Sequence, residues 1–304
     1  MTYPADRVVH VPAHTAGPTV GRSSRNRVRS VLTAPGCSCC TQCQRRLVTL
    51  SVAVQTPNPA TGVPHEPRVQ VADGLPRAVF LDLDDTIIDD SSSVDGGWRT
   101  AVGEHVGGVD LERLLDAVFE VRDWYWSDAE RHRVGRQDLR AASTRIAEEA
   151  LRRLGTGDSE LARTIAHRYR DLREQGQQLL PGAIETIERL RERGIQLALL
   201  TNGSSAVQRA KIERFRLARH FDYVCIEGEF GCGKPDERVY RSALEATTSQ
   251  PNTTWMVGDN LEWDVAAPMR LGLTGIWLDR FARGLPDATP VQPHRTIFSL
   301  TELL

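Results

Sequence analysis

Short apolar runs alternate with stretches of helical periodicity over most of the chain from residue 75 onwards. Five of these runs have the length of a buried strand and are bounded by polar or turn-forming residues: Ala78–Leu81, Gln196–Leu200, Tyr223–Ile226, Trp255–Val257 and Gly275–Leu278. Amphipathic helical patterns separate the later runs, as in Ile184, Ile187 and Leu190 ahead of Gly194. This alternation predicts an α/β fold, with a Rossmann-like parallel sheet core and helices on both faces.

One long helical stretch interrupts this alternation between the first and second strands. The 115 residues that follow Thr86 are far more than a single crossover connection requires. Three apolar stripes at helical spacing begin there at Leu111, Leu139 and Leu161. Asp138 and Asp158 stand where the second and third helices need N-caps, and such helices can bury their stripes on one another. We therefore predict an inserted helical cap domain at residues 91–180 and a core formed by residues 75–90 and 181–304.

The first 74 residues show neither a strand period nor a helix period. Residues 1–72 contain eight Arg, two acidic residues and no Lys. Such a segment cannot bury enough apolar surface to offset its ordering entropy. We predict that residues 1–74 form a disordered basic extension rich in Arg, Pro and Ser, with a targeting segment or a start-site artefact as alternatives. A group of cysteines lies too close together for the separated ligand pairs of a zinc site: Cys37, Cys39, Cys40 and Cys43.

Composition excludes several functional classes. The 304 residues are 40% hydrophobic and 26% charged, which excludes a wholly disordered chain. The formal net charge of −2 gives no overall attraction to nucleic acid or to an anionic membrane. No run approaches the roughly 20 apolar residues of a transmembrane helix. We therefore expect a cytoplasmic protein, a monomer or homodimer, that does not act on membranes or nucleic acids.

Polar residues follow four of the five predicted strands. They are Asp82, Asp84, Asp85 and Thr86 after the first strand, Thr201 and Asn202 after the second, Lys234 after the third, and Asp259 and Asp264 after the fourth. Any one of them could be a turn residue, a helix cap or a solvated side chain. Because parallel strands end at one edge of a sheet, four such clusters together predict a functional site there. The chain has 36 Arg and only two Lys, Lys211 and Lys234, which makes the place of Lys234 in this set more telling.

These four clusters resemble the motifs of the haloacid dehalogenase-like (HAD) hydrolase superfamily. The matching residues are Asp82, Asp84 and Thr86 for Asp-x-Asp-x-Thr, Thr201 for the strand-ending Thr, Lys234-Pro235 for the Lys motif, and Gly258, Asp259 and Asp264 for Gly-Asp-x-x-x-x-Asp. The resemblance covers about residues 78–303, and the helical insertion is similar to the type-1 cap of this superfamily. Residues 201–203 and 256–262 look most like the phosphatase branch with N-acylneuraminate-9-phosphatase, house-cleaning nucleotidases and phosphoglycolate phosphatase.

The resemblance implies a Mg²⁺-dependent phosphatase that hydrolyses a small phosphorylated metabolite through an aspartyl-phosphate intermediate. It makes Asp82 the nucleophile, Asp84 the general acid and base, and Lys234 a fixed positive charge. The implied Mg²⁺ ligands are Asp82, the backbone carbonyl of Asp84, and Asp259. Dehalogenase members lack the second Asp of the first motif, so Asp84 favours phosphate esters over carbon–halogen bonds.

The remaining motif residues have binding and supporting roles under the same resemblance. Thr201 and the backbone N–H of Asn202 would receive phosphate oxygens, helped by the N-terminus of the following helix. Thr86 would orient Asp84 or cap the turn. Asp264 would hold the metal through water or orient Lys234.

Two other functions remain open at this stage. A phosphomutase of the same fold would return the phosphoryl group to a sugar, and a non-catalytic regulatory or binding protein could use the same scaffold. The predicted cap adds aromatic and basic residues that either pack or contact substrate: Trp98, Trp124, Tyr125, Trp126, Arg131 and Arg133.

Overall fold

The computed structural model describes residues 74–304 apart from residues 106, 108 and 109. The predicted N-terminal extension, apart from Gly74, lies outside the described residues, as do its four clustered cysteines. The described strands are β1 (Ala78–Leu81), β2 (Ile88–Asp89), β3 (Gln178–Leu179), β4 (Gln196–Thr201), β5 (Tyr223–Ile226), β6 (Thr254–Gly258), β7 (Thr274–Leu278) and β8 (Arg295–Ile297). The described α-helices are α1 (Val94–His105), α2 (Leu111–Ser127), α3 (Ala129–Gly135), α4 (Leu139–Arg153), α5 (Ser159–Gly176), α6 (Ala183–Glu192), α7 (Ser205–Arg214), α8 (Glu227–Phe230), α9 (Glu237–Ala246) and α10 (Ala267–Arg270).

Six of the described strands form one parallel sheet, in the order β5-β4-β1-β6-β7-β8. The sheet confirms the predicted α/β fold. Its first strand, β1, lies between β4 and β6, so the chain adds β4 and β5 on one side of β1 and then crosses over to add β6, β7 and β8 on the other. The sequence did not predict β8, because only Ile297 of its three residues is buried and no apolar run marks it.

Strand β1 joins two hydrophobic layers, one on each face of the sheet. Its four residues are fully buried. Val79 and Leu81 pack in one layer with Ile187 of α6, and Ala78 and Phe80 pack in the other with Tyr240 of α9. Successive strand residues point to opposite faces, which explains why an unbroken apolar run is needed here. Apolar side chains therefore cover both faces of β1 as far as Asp82, the residue that follows it.

Helices α1, α2, α4 and α5 bury their apolar stripes in a hydrophobic core of their own. That core includes Trp98, Leu115, Val118, Ile146, Leu151 and Ile165. Both predicted N-caps are confirmed, since Asp138 accepts a hydrogen bond from the backbone N–H of Ala141 and Asp158 accepts one from Leu161. The assignment of these helices to a cap domain with boundaries at residues 91 and 180 stays a prediction.

A short antiparallel ribbon lies where the chain enters and leaves this helical segment. Strands β2 and β3 pair Ile88 with Leu179 and Asp89 with Gln178. Two residues per strand are too few to show a period, so the sequence pattern did not predict the ribbon. Across the described residues, no helix combines the length and apolar character needed to cross a membrane.

Candidate active site

The three central strands of the sheet each place one predicted site residue at their carboxyl end. Asp82 follows β1, Thr201 ends β4, and Asp259 follows β6. The backbone N–H of Asp82 donates to the carbonyl of Val257 at 3.0 Å, which extends the ladder between β1 and β6 by one residue. The neighbouring strands therefore fix the backbone of Asp82 before its side chain makes any contact.

Lys234 brings two of the predicted carboxylates together. Its Nζ donates to Oδ1 of Asp82 at 2.6 Å and to Oδ1 of Asp264 at 2.7 Å. Lys234 and Asp264 are each only 1% exposed, so this ion-pair network has very little access to water. Burial opposes the charge on Lys234, but the attraction of Asp264 and Asp82 outweighs it and raises the pKa of the lysine. Burial also raises the pKa of Asp82 to about 6, against the opposing attraction of Lys234.

The side chain of Asn202 holds the backbone of Lys234. Its Nδ2 donates to the Lys234 carbonyl and its Oδ1 accepts from the Lys234 N–H, both at 2.7 Å. A Cβ on Gly233 would lie 2.5 Å from Oδ1 of Asn202, so this close approach requires glycine. The sequence predicts that the backbone N–H of Asn202 binds phosphate, and this stays a prediction. The structure shows that the side chain of Asn202 positions the lysine loop.

Asp264 reaches Lys234 from the turn that follows β6. Residues Leu261–Ala266 form a π-helical turn there, and Oδ2 of Asp264 accepts the backbone N–H of Asn260 at 3.1 Å. A Cβ on Gly258 would lie 2.3 Å from the Asp264 carboxylate, which explains the glycine of the Gly-Asp motif. Of the two roles expected for Asp264, the structure shows the contact needed to orient Lys234.

Asp84, the second motif aspartate, is held by helix α7. Lys211 Nζ donates to its Oδ1 at 2.6 Å, and Gln208 Nε2 donates to its Oδ2 at 2.9 Å. Gln208 also donates to the hydroxyl of Thr201, which ties two predicted site residues to one amide. Burial raises the pKa of Asp84, and the attraction of Lys211 only partly opposes this.

Neither of the helix residues that hold Asp84 was predicted from the sequence as a site residue. Gln208 and Lys211 are three residues apart, so they share one face of α7. The pattern of α7 alone does not show that this face meets β1. The scarcity of lysine was the available signal, because both lysines of the chain lie in this site.

Three carboxylates at the sheet edge fit a divalent cation. Asp82, Asp259 and Asp264 each place an oxygen within 4.8 Å of the others. Within residues 74–304 as described, no side chain donates to the Asp259 carboxylate, whereas Lys234 already contacts the other two. The surrounding protein and the charges of Asp82 and Asp264 raise the pKa of Asp259 well above its usual value. Hard oxygen ligands that carry surplus negative charge suit Mg²⁺.

Among the described residues, the Thr86 hydroxyl makes no hydrogen bond to Asp84. The residue is fully buried, and its hydroxyl has no hydrogen-bond partner among the described residues. The adjacent Asp85 has a left-handed backbone, with φ of 59°, and its Oδ1 accepts from Ser91 N and from Arg280. The turn after β1 is therefore held through Asp85, and the expected role of Thr86 finds no support from hydrogen bonding.

A cavity of about 500 Å³ lies between these sheet-edge residues and the helical segment. Asp82, Asp84, Thr201 and Asp259 line one side of it. The opposite side is lined by Trp98, Trp126, His132, Arg136, Tyr169, Arg170 and Arg173, among others. Of the aromatic and basic residues singled out from the sequence, Trp98 and Trp126 are the two that reach this cavity.

The other singled-out residues make contacts within the helical segment. Arg131 stacks on Trp124, with its guanidinium carbon 3.9 Å from the ring centre. Arg133 forms a two-point ion pair with Glu130 on the same helix. Tyr125 is buried in the core of the segment.

One ion pair joins the helical segment to the sheet beside this cavity. Arg136, at the end of α3, donates twice to Glu227 after β5, and both contacts are 2.7 Å. Glu227 Oε2 also accepts the backbone N–H of Gly203, which follows Asn202. His132 meets the edge of Trp263 with 5.2 Å between ring centres. Arg136 and Glu227 were not predicted from the sequence, because they lie outside the four motif clusters.

Comparisons with known proteins agree with this arrangement. The model of the haloacid dehalogenase-like hydrolase family matches residues 76–272. A phosphoserine phosphatase of Thermus thermophilus is 35% identical over 75% of this chain and 97% of its own length. The N-acylneuraminate-9-phosphatase of Rattus norvegicus is 28% identical over 75% of this chain and 92% of its own. The crystal structure of YfnB from Bacillus subtilis covers 75% of this chain and 97% of its own, with a TM-score of 0.60 and 21% identity, and so shares the fold.

Proposed function

We propose that this chain, which belongs to the haloacid dehalogenase-like hydrolase family and is a phosphatase, uses Mg²⁺ and an aspartyl-phosphate intermediate to hydrolyse a small phosphomonoester. The observation that carries this proposal is the buried network of Asp82, Lys234 and Asp264, with Asp84 on the same cavity. It combines a fixed carboxylate, a fixed cation and a second carboxyl group with a raised pKa. A phosphoryl transfer through a carboxylate nucleophile needs these three groups.

Asp82 acts first in this mechanism, as the nucleophile. Its carboxylate oxygen forms a bond to phosphorus while the bond from phosphorus to the ester oxygen breaks. Asp84, whose pKa is raised by burial, gives its proton to the departing oxygen. The products of this step are the free alcohol and a phosphorylated Asp82.

Asp84 then acts as the base for the second displacement. Its carboxylate takes a proton from a water molecule as the water oxygen attacks phosphorus. The bond from phosphorus to Asp82 breaks, which releases inorganic phosphate and restores both aspartates. Lys211 and Gln208 keep Asp84 in place through the two steps, each by a hydrogen bond to a different carboxylate oxygen.

The other sheet-edge residues bind and neutralise the phosphoryl group. Lys234 offers a positive charge that burial and Asn202 keep in one position. Thr201 and the backbone N–H of Asn202 receive phosphate oxygens. Asp82, Asp259 and the backbone carbonyl of Asp84 would hold Mg²⁺, which supplies charge neutralisation between these carboxylates and the phosphate dianion.

The helical segment, residues 91–180, acts as the cap over this site in our proposal. Its residues close one side of the cavity, and the Arg136–Glu227 pair holds it against the sheet. Closing a site in this way excludes bulk water from the phosphorylated aspartate.

Cytoplasmic location and a monomeric or homodimeric state belong to the same proposal. Cell fractionation tests the location, and light scattering tests the oligomeric state.

Hydrolysis of p-nitrophenyl phosphate by the purified protein tests the proposed function. We expect turnover with Mg²⁺, loss of turnover in EDTA and recovery when Mg²⁺ is added back. Asp82→Asn should abolish turnover, and Asp84→Asn should accumulate an acid-stable phosphoprotein. Arg133→Ala, on an exposed face of the helical segment, is the matched control and should behave as wild type. Full turnover by Asp82→Asn would overturn the assignment.

A further inference from the structure

Four arginines line the cavity, and three of them already have carboxylate partners. Arg122 pairs with Asp95 and Asp123, Arg136 with Glu227, and Arg173 with Asp90. Arg170 lines the same cavity but makes no ion pair within the part of the chain that the structure describes. One cavity arginine therefore differs from the others in making no direct ion pair among the described residues.

Arg170 is buried despite this lack of a partner. It is 5% exposed, and its Nε has no hydrogen-bond partner among the described residues. Burial lowers the pKa of Arg170, and the more distant charges of Asp90 and Glu174 oppose this only in part. The adjacent Tyr169 ring, 5.9 Å from the guanidinium carbon, offers a weak attraction but no acceptor in the plane of the five N–H donors. A buried guanidinium without an acceptor is unfavourable unless a ligand supplies one.

A second buried donor faces the same cavity. Trp98 is 1% exposed, and its indole N–H also has no partner among the described residues. The Trp98 ring stacks on Tyr169, with 3.9 Å between ring centres, and Tyr169 adjoins Arg170 in the chain. Two unpartnered N–H donors therefore lie next to one aromatic ring on the wall opposite Asp82.

The position of Arg170 on α5 separates it from the reacting aspartates. One turn towards the C-terminus, Arg173 donates to the carboxylate of Asp90, which also accepts from Lys211, the partner of Asp84. Three residues span about 4.5 Å along a helix, so Arg170 lies deeper in the helical segment than Arg173. A ligand that reached both Asp82 and Arg170 would be anionic at both ends.

We infer that Arg170, assisted by the indole N–H of Trp98, binds a carboxylate of the substrate, and that the substrate is therefore a phosphomonoester of a small carboxylic acid. This inference rests on the proposed function. The planar guanidinium edge with its free Nε matches the two oxygens of a carboxylate, and the indole N–H adds a third donor. A second phosphate group would carry more negative charge than a carboxylate and one more terminal oxygen. Among the described residues, this wall of the cavity has no further unpaired cation to bind them.

Matched esters that differ only in the carboxylate test the inference. The pairs are phosphoglycolate with 2-hydroxyethyl phosphate, phosphoserine with phosphoethanolamine, and 3-phosphoglycerate with glycerol 3-phosphate. For wild type we expect kcat/KM to be at least about tenfold higher for the carboxylated member of one or more pairs. Arg170→Ala should bring that ratio close to one, mainly through a higher KM for the carboxylated ester, and Arg170→Lys should restore part of it.

Further variants keep the test decisive if Arg170→Ala folds poorly. Arg170→Gln keeps most of the side-chain volume without the charge and should also lose the preference. Trp98→Phe removes the indole N–H but keeps an aromatic ring against Tyr169, and should reduce the preference less than Arg170→Gln. Arg133→Ala serves as the control, since its guanidinium pairs with Glu130 and is half exposed. An unchanged preference in Arg170→Gln would overturn the inference.

The wild-type result separates this inference from the proposed function. Turnover of p-nitrophenyl phosphate without a preference for any carboxylated ester would overturn the carboxylate subsite and leave the phosphatase standing. A preference for a bisphosphate over its monophosphate and over every carboxylated ester would assign Arg170 to a second phosphate and overturn our choice. Absence of turnover with any ester in Mg²⁺ would overturn both.

Discussion

The two lysines of this chain each bridge two aspartates, but they do so in regions of different burial. Lys234 joins Asp82 to Asp264, and the side chains of all three are at most 10% exposed. Lys211 joins Asp84 to Asp90, whose side chains are 30% and 27% exposed. Both lysines approach their nearer carboxylate to 2.6 Å, so the difference lies in the surroundings and not in the contact itself.

The surroundings give the two bridges different connections. The Lys234 bridge stays within loops at the sheet edge, where Asn202 and the β1–β6 ladder hold it. The Lys211 bridge continues into the helical segment, because Asp90 also accepts from Arg173 and Gln177. We infer that the fold holds the nucleophile independently of the helical segment but ties the general acid and base to it.

Of the substitutions that test the two lysine bridges, Lys234→Met should have the largest effect on stability and activity. The change leaves Asp82 and Asp264 buried without a cation, so we expect a loss of about 3–5 kcal/mol in the free energy of unfolding. It also removes the fixed positive charge, and kcat with p-nitrophenyl phosphate should fall at least about a thousandfold. Urea unfolding and steady-state kinetics measure the two effects.

A paired substitution distinguishes a missing charge from a changed shape. Lys234→Met combined with Asp264→Asn removes one of the two uncompensated carboxylates, so part of the stability should return while activity stays lost. If Lys234→Met unfolded at the same urea concentration as wild type, the buried bridge would not have the structural role that its burial indicates.

Replacing Lys211 with methionine should reduce activity more than stability. Asp90 keeps Arg173 and Gln177, and Asp84 keeps Gln208, so no carboxylate loses all of its donors. We expect a loss of about 1–2 kcal/mol in the free energy of unfolding. With Asp84 held by one hydrogen bond instead of two, kcat should fall about 10- to 100-fold.

The split between kcat and KM checks the role of Lys211. A positioning residue for the general acid should lower kcat while KM for p-nitrophenyl phosphate changes little. A variant with normal kcat and a raised KM would place Lys211 in substrate binding and contradict its link to Asp84.

The better predicted of the two bridges is the one built from motif residues. Apolar runs located five strands, and parallel topology then brought Asp82, Lys234 and Asp264 to one edge, as the structure shows. The second bridge depends on the face that α7 turns towards β1. Lys211 and Gln208 lie on a helix whose buried residues do not form a simple apolar stripe, so periodicity did not indicate them.

In the helical segment, too, the sequence predicted local features but not contacts between distant residues. The apolar stripes and the N-caps Asp138 and Asp158 could be predicted, because they depend on local spacing. Arg170 could not be distinguished from the other arginines by its sequence position. It differs from the other arginines that line the cavity in making no ion pair among the described residues, and tertiary packing decides which arginines form ion pairs. The same holds for Arg136 and Glu227, which are 91 residues apart in the chain.

Arg136→Gln should give the smallest effect and tests the contact between the two regions directly. The ion pair with Glu227 is largely buried, with the two side chains 14% and 9% exposed, so salt screens it only weakly, and Glu227 keeps its bond to the N–H of Gly203. We expect kcat/KM to fall about 3- to 10-fold, with little dependence on ionic strength, because salt screens a buried pair much less than an exposed one. Arg133→Gln is a close control, because Arg133 makes the same two-point contact with Glu130 but within one helix. If both variants lost activity equally, the Arg136 effect would come from the helix and not from its contact with the sheet. A loss confined to Arg136→Gln would show that the helical segment must stay joined to the sheet for the second lysine bridge to hold Asp84 in place.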